Sequence, residues 1–178
     1  MKKIFLTLLC LFSLNFSFSQ IDKSVKIKTF KTEKLTVSYP KTWMKIGAQG
    51  YVFFQPKRLR KTNNKFNETE YVSVNMNDLK LQARDSIENV LKNHGNSLFR
   101  SHKTKSFKLI KLESSSKFIY KMVSIITYKT IPGVYKNEAY YFMNNGHLKF
   151  YYYQMRETLF EEYHDDAMLI INSIREKN

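Results

Sequence analysis

The chain has 178 residues, with 30 lysines and arginines against 15 aspartates and glutamates, a net charge of +15 at pH 7. Its single cysteine, Cys10, lies in an apolar leader, so the remaining chain has no thiol nucleophile, no disulfide framework and no thiolate metal ligand. The excess of positive charge favours anionic surfaces such as lipid headgroups, lipopolysaccharide or acidic proteins, or nucleic acid.

Residues 1–19 set Lys2 and Lys3 ahead of an apolar run from Ile4 to about Leu14, followed by Ser17 and Ser19. This is the build of a secretory signal peptide cleaved after Ser19. The run is too short to span a bilayer, which takes about 20 apolar residues. A lipoprotein signal ending at Cys10 is disfavoured by Leu9, where a small residue is expected. Cleavage leaves residues 20–178 as a single domain with 28 basic and 15 acidic residues, a net charge of +13. Export makes nucleic acid the least suitable partner, and the expected location is the periplasm or the exterior. Stability must come from packing.

Val25 to Thr32 and Lys34 to Tyr39 alternate polar and apolar residues about a turn at Glu33-Lys34, the pattern of a β-hairpin with Val25, Ile27, Leu35, Val37 and Tyr39 on one face. Pro40 cannot donate to a ladder and ends the strand. Trp43, the only tryptophan, follows a short connection and is expected to cover the end of the core. Tyr51 to Gln55 and Tyr71 to Asn77 are two further strands, the second with Val72, Val74 and Met76 inward.

Between them Pro56 to Glu70 lacks any sustained period and carries Lys57, Arg58, Arg60, Lys61 and Lys65. Such a segment is either a solvated loop or a contact surface, and it is the chain's leading candidate for the latter. A capping box at Asp85-Ser-Ile-Glu88 opens a helix from about Ser86 to Asn93 that ends near Gly95. His94 shares its apolar stripe, and with no partner at ligand spacing it fits a boundary histidine better than a metal ligand.

Arg100, His102, Lys103, Lys105 and Lys108 form a second basic cluster ahead of a meander. Its strands are Phe107 to Leu112, Lys117 to Ile131, Tyr135 to Asn144 and His147 to Met155, separated by the serines at 114–116, Pro132-Gly133 and Asn145-Gly146. Asn-Gly between alternating hydrophobics signals a two-residue type I′ hairpin. That register sets Met143 opposite Leu148, Tyr141 opposite Phe150 and Ala139 opposite Tyr152, while Tyr140, Phe142, Lys149 and Tyr151 share the other face. Both faces are apolar, so the sheet needs cover on both. The run from His147 to Tyr153 has the composition of a nucleic-acid stacking platform, but aromatics spread this widely suit ordinary sheet packing.

A second capping-box pattern at Thr158-Leu-Phe-Glu161 begins a closing helix with Tyr163, Ala167, Ile170, Ile171 and Ile174 on its apolar stripe. Its acidic start gathers Glu157, Glu161, Glu162, His164, Asp165 and Asp166, with Glu161/Asp165 and Glu162/Asp166 one helical turn apart. Such pairs could clasp a divalent cation, giving a metal-binding protein or a metal-dependent hydrolase using Glu161, His164 and Asp165. Dipole complementarity at a solvated helix start accounts for the same residues. No G-x-S-x-G, H-E-x-x-H or G-x-x-x-x-G-K motif is present, and five glycines leave little for phosphate-cradling loops.

The order of elements, with Leu35-Thr-Val-Ser-Tyr-Pro40, Trp43, the Asn145-Gly146 hairpin and the closing Ile170-Ile171-Asn172-Ser173-Ile174, resembles the PsbP-like family. This family holds photosystem II extrinsic subunits, Ran-binding proteins and small exported bacterial proteins. The resemblance covers nearly the whole chain after residue 19. It implies an α+β fold, an α/β/α sandwich in which an antiparallel sheet is flanked by helices on both faces. It also implies binding rather than catalysis, with no cofactor and no metal ligands that can be carried over. The expectation is a non-enzymatic module contacting a protein or anionic envelope component through Lys57, Arg58, Arg60, Lys61, Arg100, Lys103 and Lys105.

Overall fold

The computed structural model describes residues 25–48, 51–59, 70–81, 84–101, 103–128 and 131–177. The expected signal peptide lies outside them, as do Arg60 and Lys61. Among the described residues a main sheet and a small sheet, both antiparallel, are combined with two helices.

The small sheet forms from β1 (Ile27–Lys31), β2 (Leu35–Pro40) and the C-terminal β10 (Arg175–Glu176), in the order β1-β2-β10. Thr32 closes the first turn, its backbone N–H donating to Leu35 O at 2.8 Å and its hydroxyl accepting from Leu35 N at 3.0 Å. The register pairs Phe30 with Val37 and Lys28 with Tyr39. This corrects the expected face of β1: Phe30 packs against the core beside Leu35, Val37 and Tyr39, whereas Val25 and Ile27 are exposed. The aromatic ring outweighs two smaller aliphatics, and a change of one residue in parity turns the whole strand over.

Seven strands build the main sheet in the order β3-β4-β5-β9-β8-β7-β6. They are β3 (Trp43–Ala48), β4 (Tyr51–Pro56), β5 (Tyr71–Leu79), β6 (Lys103–Lys111), β7 (Tyr120–Thr127), β8 (Val134–Asn144) and β9 (His147–Arg156). β3 lay hidden in the sequence behind Pro40 and Trp43, where only a connection was expected. β7 is shorter than the expected strand from Lys117 to Ile131. The β8–β9 hairpin has the register expected from its turn, including Met143 with Leu148 and Ala139 with Tyr152. Asn145 and Gly146 both take positive φ, 49° and 76°, as a type I′ turn requires.

Helix α1 (Ile87–Ser101) covers one face of this sheet and α2 (Glu157–Ser173) the other. The α/β/α layering is therefore present, with the small sheet added beside α2. On the α2 face, Trp43, Phe54, Val72, Val74, Tyr140, Phe142, Tyr151 and Tyr153 meet Phe160, Tyr163, Ala167, Ile170, Ile171 and Ile174, all buried. Trp43 is fully buried, its edge against the Tyr163 ring at 6.1 Å and its Nε1–H donating to Asp166 Oδ2 at 2.8 Å. It seals the β3 edge of the sheet against α2, and the buried indole N–H has the partner it needs.

Neither helix starts where its capping-box pattern places it: the cap of α1 is one residue later and that of α2 two residues earlier. Ser86 caps α1, its Oγ accepting from Asn89 N at 3.2 Å. α2 begins at Glu157 after Arg156, with no side-chain cap, so the Thr158 box is not used. At its other end Arg175 donates to the carbonyls of Asn172 and Ile174, at 2.6 and 3.0 Å, covering acceptors the helix leaves open. α1 also runs past Gly95 to Ser101. Gly95 is inside the helix because the Phe107 ring of β6 approaches so closely that a Cβ would stand 2.7 Å from it. The glycine marks a close contact, not a stop.

Candidate functional site

The strand register gathers basic residues at one end of the main sheet. One cross-sheet row runs Phe54, Val72, Tyr153, Glu138, Val123 and Lys108. Moving from that row toward the end of β4 leads on β9 to Arg156, on β7 to Thr127 and on β6 to Lys103. Lys57 and Arg58 therefore share an end of the sheet with Lys103 and Lys105, and Arg100 lies in the last turn of α1 just before β6. Five strand-to-strand steps separate β4 from β6, about 24 Å at a spacing of about 4.8 Å. The two clusters thus occupy opposite edges of one end.

At the β4 edge the backbone tightens into a 3₁₀ turn, Lys57–Leu59. Lys57 N donates to Thr42 O at 2.9 Å, and its ammonium donates to the Lys41 carbonyl. Arg58 pairs with the Glu162 carboxylate and lies over the Tyr163 ring, 5.0 Å from its centroid. Both members of the ion pair are about half exposed, so the pair orients Arg58 more than it stabilises the fold. Lys41, Lys57, Arg58, Glu162, Tyr163 and Asp166 surround a shallow groove of about 600 Å³. No described carboxylate pairs with Lys41 or Lys57, so the groove keeps net positive charge.

At the β6 edge the register shifts between Thr104 and Ser106, and Lys105 is the extra residue of that bulge. β6 is the outer strand, with lysines at 103, 105, 108 and 111. Lysines on an edge strand also oppose strand-to-strand aggregation, which gives this cluster a second use. Lys41 and Arg156 join the basic end from positions outside the two clusters. Only the pairing register reveals them, so local charge density could not have singled them out. Arg156 lies 3.4 Å from the buried Glu70 carboxylate.

The acidic start of α2 divides among different partners. Lys136 holds Glu161 at 2.9 Å and lowers its carboxyl pKa, Arg58 takes Glu162, and Asp166 accepts from Trp43. His164 turns inward, its Nε2 3.3 Å from Glu138, a carboxylate only 4% exposed that Tyr140 and Lys121 also contact. Burial, reinforced by the Glu138 carboxylate, pushes the Tyr140 hydroxyl pKa well up. Of the expected trio, Glu161 and His164 are engaged by Lys136 and Glu138, while Asp165 lies 3.8 Å from His164 Nδ1. Among the described residues no three histidines or carboxylates are grouped to hold a metal ion, and no helix is long and apolar enough to cross a membrane.

No family model matches the chain, and no curated protein matches it. The structure is similar to the solution structure of cyanobacterial PsbP (CyanoP) from Synechocystis sp. PCC 6803, with a TM-score of 0.55 over 86% of this chain and 94% of that one, at 12% sequence identity. A likeness at that identity speaks for architecture alone, and it agrees with the layer order and with the family resemblance carried by the Tyr39-Pro40 and Trp43 segment. The chain has the PsbP-like fold.

Proposed function

We propose that this is an exported, non-catalytic binding module that contacts a protein or anionic envelope component through the basic end of its main sheet. The observation that supports this most directly is the register, which brings Lys57 and Arg58 to the same end as Arg100, Lys103 and Lys105 although the clusters are far apart in sequence. Arg60 and Lys61 follow Leu59 in the sequence and lie outside the described residues. Cations near an anionic surface contribute about 1 kcal/mol each, within a Debye length of about 8 Å. A set divided between two edges suits an extended anionic surface better than a compact anion. The leader at residues 1–19 supports export.

The test uses residues 20–178 with vesicles of phosphatidylglycerol and phosphatidylcholine, and crosslinking capture from the native envelope fraction. Charge reversal of Lys57, Arg60, Lys61, Arg100, Lys103 and Lys105 leaves Arg58 to its internal pair. It is expected to weaken binding at least tenfold, with strong salt dependence in the parent protein. Reversing either cluster alone should produce part of the loss. Binding unchanged by the full reversal, both to vesicles and to captured partners, would overturn the proposal.

A further inference from the structure

The α1 face of the main sheet is incompletely covered. α1 packs chiefly on β6, and Gly95 lets it settle onto Phe107 at that edge. Toward β8, β9 and β5 the helix leaves a cavity of about 260 Å³ beneath His94 and Leu98. Ala139, the small residue on its floor, sits among Tyr141, Phe150 and Tyr152, so the void follows from one missing side chain volume as well as from the helix's position.

The walls are rings. Tyr71 and Tyr152 meet edge to face at 5.6 Å with their hydroxyls 2.9 Å apart, and His94 lies 5.3 Å from the Phe150 ring. The polar floor is Gln154, whose Oε1 accepts from Tyr128 Oη at 2.9 Å and from Asn137 Nδ2 at 3.4 Å. Neither ring nitrogen of His94 bonds to a described residue. Burial lowers the pKa of His94, so at neutral pH the ring offers one donor and one acceptor instead of a charge. Among the described residues no lysine, arginine, aspartate or glutamate lines the cavity.

We infer that this cavity is a binding site for a small, uncharged, planar ring compound carrying both a hydrogen-bond donor and an acceptor. A charged guest would lose its hydration without meeting a counter-charge, at a cost of several kcal/mol. A planar guest stacks between Tyr71, Tyr152, Phe150 and His94, while its polar group meets His94 and the Asn137 carboxamide. The volume falls just below that of sites for drug-sized molecules, about 300–1,000 Å³, so the guest is smaller than those. The inference does not rest on the proposed binding function.

Benzamide, benzoate and benzamidinium share a shape and differ in charge, and they serve as probes of this site. With the chain from residue 20 onward, His94 ring signals are followed by NMR and assigned with a His94→Gln variant. Benzamide is expected to shift them saturably, with benzoate and benzamidinium binding at least tenfold more weakly. Leu98→Trp, which fills the cavity from the helix, should abolish the benzamide response, and Ala139→Leu does the same from the floor if the tryptophan variant fails to fold. A silent His94 at saturating benzamide, an equal response to benzoate, or a response that survives cavity filling would each overturn the inference.

Discussion

The two faces of the main sheet are built to different standards. The α2 face is closed: a long helix, the small sheet and Trp43 leave the large side chains beneath them fully buried. The α1 face carries a helix displaced toward one edge, and its aromatic residues, including Phe107, Phe150 and Tyr152, remain half-buried around a cavity. One sheet thus supports a rigid side, where a lost contact cannot be recovered, and a tolerant side, where there is room for a guest. The comparison teaches that apolar composition, nearly equal on both faces, does not decide which face is sealed. The placement of the covering helix does.

The largest expected effect comes from deleting an anchor on the closed face. Trp43→Ala removes a fully buried indole and leaves Asp166 without its donor. It should lower unfolding free energy by about 3–5 kcal/mol, a large share of the about 5–15 kcal/mol a domain has. Leu98→Ala on the open face trims a half-buried side chain beside an existing void and should cost only about 1 kcal/mol. Urea unfolding of both variants measures the difference. Equal losses would mean that the two faces are packed alike.

A gentler comparison adds volume instead of removing it. Ala167 on α2 is fully buried among Phe160, Tyr163 and Ile171, and Ala167→Leu should destabilise by about 1–3 kcal/mol through overpacking. The same change at Ala139, on the cavity floor, has space to enter and should be close to neutral. Thermal or urea midpoints of the pair decide it. A penalty at Ala139 as large as at Ala167 would show that the cavity is too small or too stiff to take a side chain.

Much of this architecture was legible in the sequence where a local rule suffices. The Asn145-Gly146 turn fixed the β8–β9 register because only positive φ at both residues closes a two-residue hairpin, and that register settled which aromatics face which layer. Tyr163, Ala167, Ile170, Ile171 and Ile174 followed from helical spacing. Where a tertiary contact decides, local reading misled. Gly95 has the identity of a helix stop but serves the approach of Phe107, and Phe30 reverses the face suggested by Val25 and Ile27. The candidate site shows the same division. Clusters of lysine and arginine were visible as charge runs, but their meeting at one end of the sheet, like the cavity beneath His94, depends on strand order and helix placement that no short stretch encodes.

The smallest effect concerns His94 and tests the open face without changing its volume greatly. Burial lowers the folded-state pKa of this histidine below its ordinary value of about 6.5. The unfolded chain therefore takes up the proton first as pH falls. The stability that His94 contributes in its neutral form is complete above about pH 6.5 and is lost as pH drops through the folded pKa. Urea midpoints at pH 7.5 and pH 5 should show a larger acid loss in the parent protein than in His94→Gln, which keeps a polar side chain but cannot titrate. The difference should be smaller than either substitution effect above, since the ring is only partly buried. Saturating benzamide should widen it, because a guest bonded to the neutral ring opposes protonation. On the closed face His164 faces the buried Glu138 at 3.3 Å, so the two histidines meet opposite surroundings, one a carboxylate and the other rings and amides. A parent protein whose acid loss matched that of His94→Gln would place the His94 ring in water, and the open face would then be a bare surface with no cavity for a guest.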